Sequence, residues 1–203
     1  MMLILKADEK AIHEAARVII EGGVVVYPTD TVYGVGCNPF NENSVQKVIE
    51  AKERKKVPLP VLGSTIETLQ QIALFNEKSC RLASRFWPGP LTLVLMKRPM
   101  LPDWVTFGFP TVGVRVPNSG VALRLIELSG GLLVGTSANL SGRKACMTAL
   151  EAAEQIGERV DLILDGGETI LKRESTILRV VDDRIELIRH GAISESEARS
   201  ALE

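Results

Sequence analysis

Hydrophobic residues along the chain follow two alternating periods. Apolar side chains recur at helical spacing from Ala11 to Ile19, between Asp8, which is suited to capping a helix, and Gly22, which is suited to ending one. A short apolar run over residues 24–27 then predicts a strand. Helical and strand-like segments continue to alternate through most of the sequence, and this alternation is typical of an α/β fold.

Further segments fit the same pattern. Val45, Val48 and Ile49 predict a second helix, and Ser64 with Glu67 predicts a capping box that opens a third. Additional helices are predicted over residues 121–128 and 148–157, the latter opened by a Thr148/Glu151 capping box, and strands over residues 59–62, 91–96, 111–116, 132–136 and 162–164.

The last part of the chain has a different pattern. Residues 175–181 and 184–189 read as two strands joined by a tight turn at Asp182-Asp183, which predicts an antiparallel hairpin. The sheet should therefore be mixed, with parallel and antiparallel strands. Since no repeat, low-complexity run or Pro/Gly/Ser linker divides the sequence, we expect one domain over residues 1–203.

The composition excludes some classes of function. Lys and Arg number 24 against 25 Asp and Glu, and the net charge of −1 excludes a globally basic nucleic-acid binder but leaves local basic patches open. Cys37, Cys80 and Cys146 lie far apart and suit neither a zinc site nor an even set of disulfides, so we expect a reducing, cytoplasmic setting. The apolar residues 1–5 are too few for a signal peptide or a membrane helix, and we expect no membrane contact.

Familiar nucleotide-binding and hydrolase motifs are absent from the sequence. There is no P-loop, and Pro39 interrupts the dinucleotide motif that Gly34 and Gly36 begin. The only histidines are His13 and His190, so zinc hydrolysis and histidine-based acyl transfer lack their residues, and we expect no protein-ligated metal.

Two polar segments near predicted element ends are candidates for a binding site. Thr29 and Thr31 can present hydroxyls to a small polar ligand, although composition alone favours a plain capped turn. Lys52 and Arg54 belong to a basic run at a helix end that we expect to be exposed. These two cations suit either a triphosphate or no ligand at all, as a solvated helix end.

Two further candidates lie later in the chain. Ser137 and Asn139 can satisfy phosphate oxygens or simply form a turn. Arg115 ends a predicted strand that should be buried, where an unpaired guanidinium is costly. It therefore needs an anionic partner, either a structural carboxylate or the carboxylate of a substrate.

Seven segments, taken together and in order, resemble the YrdC family of threonylcarbamoyl-AMP synthases. The resemblance runs from about residue 22 to residue 193, nearly the whole chain. Its segments are YPTDTVYG (27–34), WPGPLTLVL (87–95), GVRVP (113–117), TSANLSG (136–142), DGG (165–167), EST (174–176) and RHGAI (189–193).

The resemblance implies a YrdC-like fold, with a twisted open mixed sheet, flanking helices and a large central cavity. It also implies a nucleotidyltransferase that joins L-threonine, bicarbonate and ATP into L-threonylcarbamoyladenylate, releasing pyrophosphate. The product would pass to a tRNA threonylcarbamoyl-transferase machinery for N6-threonylcarbamoyladenosine modification. We expect Mg²⁺ on the triphosphate and consider Asp30 as its protein contact.

The resemblance also implies roles for individual residues of this sequence. The resemblance implies catalytic and ATP-binding roles for Lys52, Arg54, Ser137 and Asn139, with Thr111 and Arg189 as further ATP contacts. It implies L-threonine binding by Thr29, Thr31, Arg115 and Ser175. For Arg115 we therefore expect the carboxylate of threonine rather than a structural ion pair.

Departures and alternatives remain. Lys55 stands where many members have Pro, Leu62 where many have His, and Ala145 where members often have Ser, so the contacts of these positions are open. One alternative is an RNA-binding module that holds tRNA or double-stranded RNA in a basic cavity without catalysis. With 4% aromatic residues, single-strand recognition is disfavoured, but shape-reading of a duplex is not. The other is a related carbamoyl-transfer domain with a different acceptor amine.

Overall fold

The computed structural model describes residues 3–182 and 184–202. Within these ranges the strands are β1 (Ile4–Lys6), β2 (Val25–Tyr27), β3 (Gly34–Gly36), β4 (Val61–Gly63), β5 (Leu91–Met96), β6 (Thr111–Arg115), β7 (Leu132–Val134), β8 (Thr136–Ser137), β9 (Leu162–Asp165), β10 (Thr176–Val181) and β11 (Arg184–Arg189). The helices are α1 (Glu9–Ile20), α2 (Glu42–Ala51), α3 (Ile66–Gln70), α4 (Glu77–Phe86), α5 (Asp103–Thr106), α6 (Gly120–Leu128), α7 (Ala149–Ile156) and α8 (Glu195–Ser200), with a 3₁₀ turn at Gly157–Arg159.

The strands form two sheets, and each sheet is mixed. The first has the order β1-β9-β2-β3-β8, with parallel pairs around β9 and antiparallel pairs around β3. The second has the order β11-β10-β5-β6-β4-β7, in which β10 pairs with β5 and β4 with β6 in parallel, and the other pairs are antiparallel. The α/β class and the mixed pairing are thus confirmed.

The division into two sheets was not predicted, and its cause lies at Gly135. We predicted one strand over residues 132–136, but β7 pairs with β4 in the second sheet and β8 pairs with β3 in the first. At the crossing, Gly135 donates its N–H to the carbonyl of Pro60 at 2.9 Å, and Val134 donates to Cys37 at 2.9 Å. One continuous apolar run therefore contributes to both sheets.

A hydrophobic core lies between the sheets and the helices. One cluster contains Val26 and Val35 from the first sheet together with Leu93 and Val114 from the second. A second cluster joins α1 and α6 to the first sheet, for example through Ile19. Because both sheets contribute to one cluster, we propose that the chain forms a single domain.

Most predicted element ends are close to those observed. The Asp8 cap is confirmed, since its carboxylate accepts the N–H of Ala11 at 2.9 Å. The capping box at Ser64 and Glu67 is wrong by one residue: Thr65 caps α3 and exchanges hydrogen bonds with Thr68. The N–H of Ser64 donates instead to the carbonyl of Gly131 at 3.2 Å, outside the helix.

Several short or weakly patterned elements were missed. β3 contains two glycines among three residues, a composition that disfavours strands. α4 is amphipathic but mostly polar, and it buries only Ser79, Leu82 and Ala83, so few apolar residues mark it in the sequence. The hairpin of β10 and β11 is confirmed, although Asp183 of its predicted turn lies outside the described residues. Among the helices described, none is long and apolar enough to cross a membrane.

Gly36 provides a test of the contact between the sheets. A Cβ atom added there would lie 1.9 Å from the carbonyl oxygen of Val134, so backbone must move. We expect Gly36→Ala to lower the free energy of unfolding by about 1–3 kcal/mol, measured by urea denaturation. Gly120→Ala is the matched control, because no heavy atom lies within 4 Å of its added Cβ. It should be neutral or stabilising by about 0.4–1 kcal/mol, and equal stability of the two variants would refute the close approach.

Candidate active site

A cavity of about 360 Å³ opens between the two sheets and takes side chains from both. Nine of the ten predicted site residues line it: Thr29, Thr31, Lys52, Arg54, Arg115, Ser137, Asn139, Ser175 and Arg189. The structure therefore brings together segments that are separated by up to 160 positions in the sequence, from 29 to 189.

Thr111 is the exception. It opens β6 and pairs with Met96, whereas Arg115 closes the same strand at the cavity. Four residues of strand correspond to roughly 13 Å, at about 3.3 Å per residue. The structure does not bring Thr111 to the cavity, so its contact with ATP stays a prediction from the resemblance.

Lys52 is buried, and the expectation of an exposed helix end is wrong for it. The side chain is only 1% exposed at the C-cap of α2. Its ammonium donates to the backbone carbonyl of Ser137 and, at 2.7 Å, to that of Asn139, while the amide oxygen of Asn139 lies 3.5 Å away. In return, the N–H of Ser141 donates to the carbonyl of Lys52 at 2.9 Å. The segment of residues 136–142 is therefore wrapped around the end of α2.

The charge of Lys52 has no carboxylate partner among these contacts. Oxygens of the surrounding segment solvate its ammonium in place of water. Burial, with a smaller contribution from neighbouring Arg54, lowers the pKa of Lys52 from 10.5 to about 8. The Ser137 and Asn139 segment is thus organised around a cation that loses its proton at mildly alkaline pH.

Arg54 has donors that the protein leaves unused. Its Nη1 donates weakly to the hydroxyl of Thr136 at 3.4 Å, and its buried Nε has no hydrogen-bond partner. Burial and the nearby Arg189 guanidinium both lower the pKa of Arg54. A buried N–H without a partner calls for an acceptor from outside the chain, and an anionic ligand would satisfy it.

Arg115 has a structural partner, so our expectation was wrong to exclude a structural ion pair, while its binding of threonine stays a prediction. Its Nη2 donates to Asp30 in a buried ion pair, its Nη1 donates to the hydroxyl of Thr31 at 3.0 Å, and its Nε donates to the carbonyl of Gly89 at 2.8 Å. The two charged residues are 5% and 3% exposed. Burial lowers the pKa of Arg115, and the charge of Asp30 opposes this shift.

Asp30 pairs with Arg115 through Oδ1 and does not line the cavity, and its buried Oδ2 has no hydrogen-bond partner. Its contact with Mg²⁺ therefore stays a prediction. The same segment contains the capped turn that composition favoured. Thr29 donates its hydroxyl to the carbonyl of Val32 at 2.6 Å and accepts the N–H of Thr31 at 3.2 Å. Both threonines nevertheless line the cavity, so the turn and the site coincide.

Ser175 and Arg189 are joined directly. The Nε and Nη2 atoms of Arg189 donate to the carbonyl of Ser175 at 3.1 and 3.0 Å, and Nη2 also donates to its hydroxyl at 3.1 Å. Nη1 donates to Glu174 at 2.7 Å. On its other side the Ser175 hydroxyl is bonded to that of Thr92 at 2.8 Å.

Sequence reasoning missed several residues that line the cavity. Tyr33 is one, and its hydroxyl donates to the carbonyl of Gly167 at 2.7 Å. Burial raises the pKa of Tyr33 to about 12. Thr92, Arg143 and Glu174 also line the cavity. Tyr33, Thr92 and Glu174 lie inside the segments that carry the resemblance, but only the fold shows which way they face.

Of the three departures from the family pattern, one lies at the cavity. Leu62 lines the cavity, in register beside Arg115 on the neighbouring strand. Lys55 is exposed, Ala145 is half-buried, and neither lines the cavity. The replacement at Leu62 thus changes the cavity wall itself, from an imidazole to an apolar surface.

The cavity is suited to anions. Five cationic side chains line it: Lys52, Arg54, Arg115, Arg143 and Arg189. Hydroxyls and amides lie between them, and these groups can orient phosphate or carboxylate oxygens. Within residues 3–182 and 184–202, no group of three or more His, Cys, Asp or Glu side chains is arranged to hold a metal ion.

The chain is similar in sequence to known proteins. The sequence matches the Sua5/YciO/YrdC family, described as "Telomere recombination", over residues 17–191. It is 40% identical over 199 residues to a threonylcarbamoyl-AMP synthase of Pyrococcus abyssi, covering 97% of this chain and 58% of the relative. It is 39% identical over 201 residues to one of Bacillus subtilis, covering 98% and 58%.

A solved structure is also similar. P. abyssi Sua5 complexed with L-threonine has a TM-score of 0.93 and 39% identity, with 98% of this chain and 59% of that chain covered. The chain thus spans less than three fifths of the length of these relatives. Because the match extends over most of its length, this chain belongs to the Sua5/YciO/YrdC family.

Proposed function

We propose that the chain carries the active site of a threonylcarbamoyl-AMP synthase, a nucleotidyltransferase that makes L-threonylcarbamoyladenylate from L-threonine, bicarbonate and ATP. The observation that carries the proposal is a single cavity that holds both predicted sets of residues, the cationic set around Lys52 and Arg54 and the hydroxyl-rich set around Arg115. The names of the relatives and the L-threonine bound to one of them support it.

The chemistry needs two steps. The amine of threonine attacks the carbon of bicarbonate and water leaves, which gives N-carboxythreonine. Its carboxylate oxygen then attacks the α-phosphorus of ATP, the bond to the β-phosphate breaks, and pyrophosphate leaves. No covalent enzyme intermediate is required, so positioning and stabilisation of charge are the main tasks of the protein. Mg²⁺ enters with the triphosphate as part of the substrate.

At the phosphate end, Arg54 and Lys52 have different tasks. The unpaired Nε of Arg54 gives a charge-assisted hydrogen bond to a phosphate oxygen. Lys52 has its donors engaged by the Ser137–Asn139 segment, so it holds these two residues in place and adds positive charge behind them. The hydroxyl of Ser137 then orients the phosphates. The side-chain amide of Asn139 fixes the segment instead, because it donates to two nearby backbone carbonyls at 2.9 and 2.7 Å.

At the threonine end, Arg115 keeps donors for a substrate. A guanidinium has five N–H groups, and three of them are engaged by Asp30, Thr31 and Gly89. The remaining N–H groups bind the carboxylate of threonine, while the hydroxyls of Thr29 and Ser175 orient its amine and side chain. The ion pair thus fixes the guanidinium before the substrate arrives.

Partners follow from the product. A mixed carboxylic–phosphoric anhydride hydrolyses readily, so we propose that a tRNA threonylcarbamoyl-transferase machinery accepts it directly in the cytoplasm. Contact with tRNA or double-stranded RNA belongs to the same proposal. The exposed Arg143 at the cavity is the cation best placed to meet such a polyanion.

The reaction is tested by omitting each substrate in turn. We expect pyrophosphate release to need L-threonine, bicarbonate and ATP together, because the carboxylate that attacks ATP is assembled from the first two. The assay uses carbonate-depleted buffer and follows pyrophosphate with time. Release at the same rate without threonine or without bicarbonate would refute the proposed function.

The ion pair predicts a stability effect. Arg115→Ala leaves the carboxylate of Asp30 buried without a cation, so we expect the ligand-free protein to lose about 3–5 kcal/mol of unfolding free energy. Arg124→Ala removes an exposed arginine that pairs at the surface and should stay within about 0.5 kcal/mol of the wild type. Adding Asp30→Asn to Arg115→Ala should recover part of the loss. A ligand-free Arg115→Ala variant as stable as the wild type would contradict the pairing.

The low pKa of Lys52 predicts a pH dependence of nucleotide binding. As pH rises through about 8, Lys52 loses its charge and its hold on the segment of residues 136–142, so the affinity for nucleotide should fall. The free energy of unfolding should rise over the same range. Between about pH 8 and 10.5 the folded protein has lost the buried proton of Lys52 while the unfolded chain still holds it, so raising the pH favours the folded state.

The measurement is calorimetric titration with α,β-methylene-ATP, whose α–β bridge cannot be cleaved, from about pH 7.5 to 9.5. The control is Lys52→Arg, which stays charged over this range. If this variant binds nucleotide, its affinity should be flat with pH. An equal alkaline fall in both proteins would assign the titration to another group.

A further inference from the structure

Glu174 is an anomaly in the cavity. Among the described residues that line this space it is the only acidic side chain, and five cationic side chains line it too. A carboxylate facing a bound triphosphate repels it, which lowers the affinity for nucleotide. Its presence therefore needs an explanation that the reaction itself does not supply.

The partner of Glu174 is Arg189, and the guanidinium is nearly fully occupied. Nη1 donates to Glu174 at 2.7 Å, while Nε and Nη2 are directed at Ser175. A guanidinium recognises phosphate through two parallel N–H groups on one edge. Arg189 uses Nε, both contacts of Nη2 and one N–H of Nη1, so a single N–H on Nη1 is left and Arg189 cannot bind a phosphate through two parallel N–H groups in this arrangement.

Arg54 lines the same cavity and, unlike Arg189, has donors that are free to bind a ligand. Its Nε has no hydrogen-bond partner, and its hydrogen bond to the hydroxyl of Thr136 is long at 3.4 Å. The Arg189 guanidinium is also near enough to lower the pKa of Arg54. The two guanidinium groups are therefore close enough to bind one anion together. In the ligand-free arrangement, however, only Arg54 is free to bind it.

We propose that Glu174 is a positioning residue that retains Arg189 on its own strand while the site is empty and releases it to the phosphates when ATP enters. This inference rests on the proposed function, because it takes the anion to be ATP. Glu174 then sets how tightly nucleotide binds, since the phosphates must displace its carboxylate from Arg189.

The exposure of the pair is consistent with such an exchange. The side chains of Arg189 and Glu174 are 36% and 39% exposed, and ion pairs this open to water contribute little to stability. A triphosphate carries several negative charges against one on the carboxylate, so it competes well for the guanidinium. The buried pair of Asp30 and Arg115 is different, because water cannot replace either partner.

The test compares Glu174→Gln with the wild type. Glutamine keeps the size of the side chain, but as a neutral acceptor it binds Arg189 more weakly and does not repel phosphate. The dissociation constant for α,β-methylene-ATP, measured by calorimetric titration, should fall by about three- to tenfold. The KM for ATP should fall with it while kcat is unchanged, because Glu174 does not contact the reacting atoms.

Glu168→Gln is the matched control. Glu168 pairs with Lys172 on the same loop but does not line the cavity, so its variant should bind nucleotide as the wild type does. Ligand-free melting curves check that both variants are folded. Unchanged or weaker nucleotide binding by a folded Glu174→Gln would overturn the role of Glu174 alone. A wild type that binds no nucleotide would instead overturn the proposed function, and this role with it.

Discussion

A guanidinium removed from water must find an anion, and in this protein Arg115 finds Asp30. The pair joins the segment after β2 in one sheet to the end of β6 in the other. The same guanidinium holds the hydroxyl of Thr31 and the carbonyl of Gly89. Since these contacts fix the relative positions of several cavity segments, the shape of the cavity at Arg115 depends on this one buried interaction.

Lys52 faces the same physical problem and solves it differently. Its ammonium is surrounded by carbonyl and amide oxygens rather than by a carboxylate, so its positive charge is stabilised but not cancelled. The result is a polarity within one cavity. The end of the cavity at Arg115 contains a neutralised pair, and the end at Lys52 and Arg54 keeps a net positive charge. A substrate with a carboxylate at one end and an attacking group directed at a triphosphate fits this polarity.

Much of the fold could be predicted from the sequence, because local patterns decide it. Capping at Asp8, the run over β5 and the hairpin of β10 and β11 depend on neighbours in the chain. The division into two sheets could not be predicted, because the strand period is continuous across Gly135 and only long-range pairing breaks it. β3 was missed for a similar reason, since Gly34 makes room for the ring of Tyr27 and Gly36 for the carbonyl of Val134.

The candidate site, like the fold, could be predicted only in part. The order of the motifs was sufficient to name nine of the residues that meet in the cavity. It could not show that Lys52 is buried, that Arg115 is already paired, or that Glu174 retains Arg189. These properties arise where distant segments exclude water from one another, and no local pattern reports them. They also determine which of the basic residues are free to bind a ligand.

The central claim is that one cavity joins threonine, bicarbonate and ATP into a single adenylate. Mass spectrometry of the product formed from ¹³C-bicarbonate tests this claim most directly. The account predicts an adenylate that contains threonine and one labelled carbon, heavier by one mass unit than the product from unlabelled bicarbonate. An adenylate of threonine without the label, or no adenylate at all while ATP and threonine are bound, would contradict it.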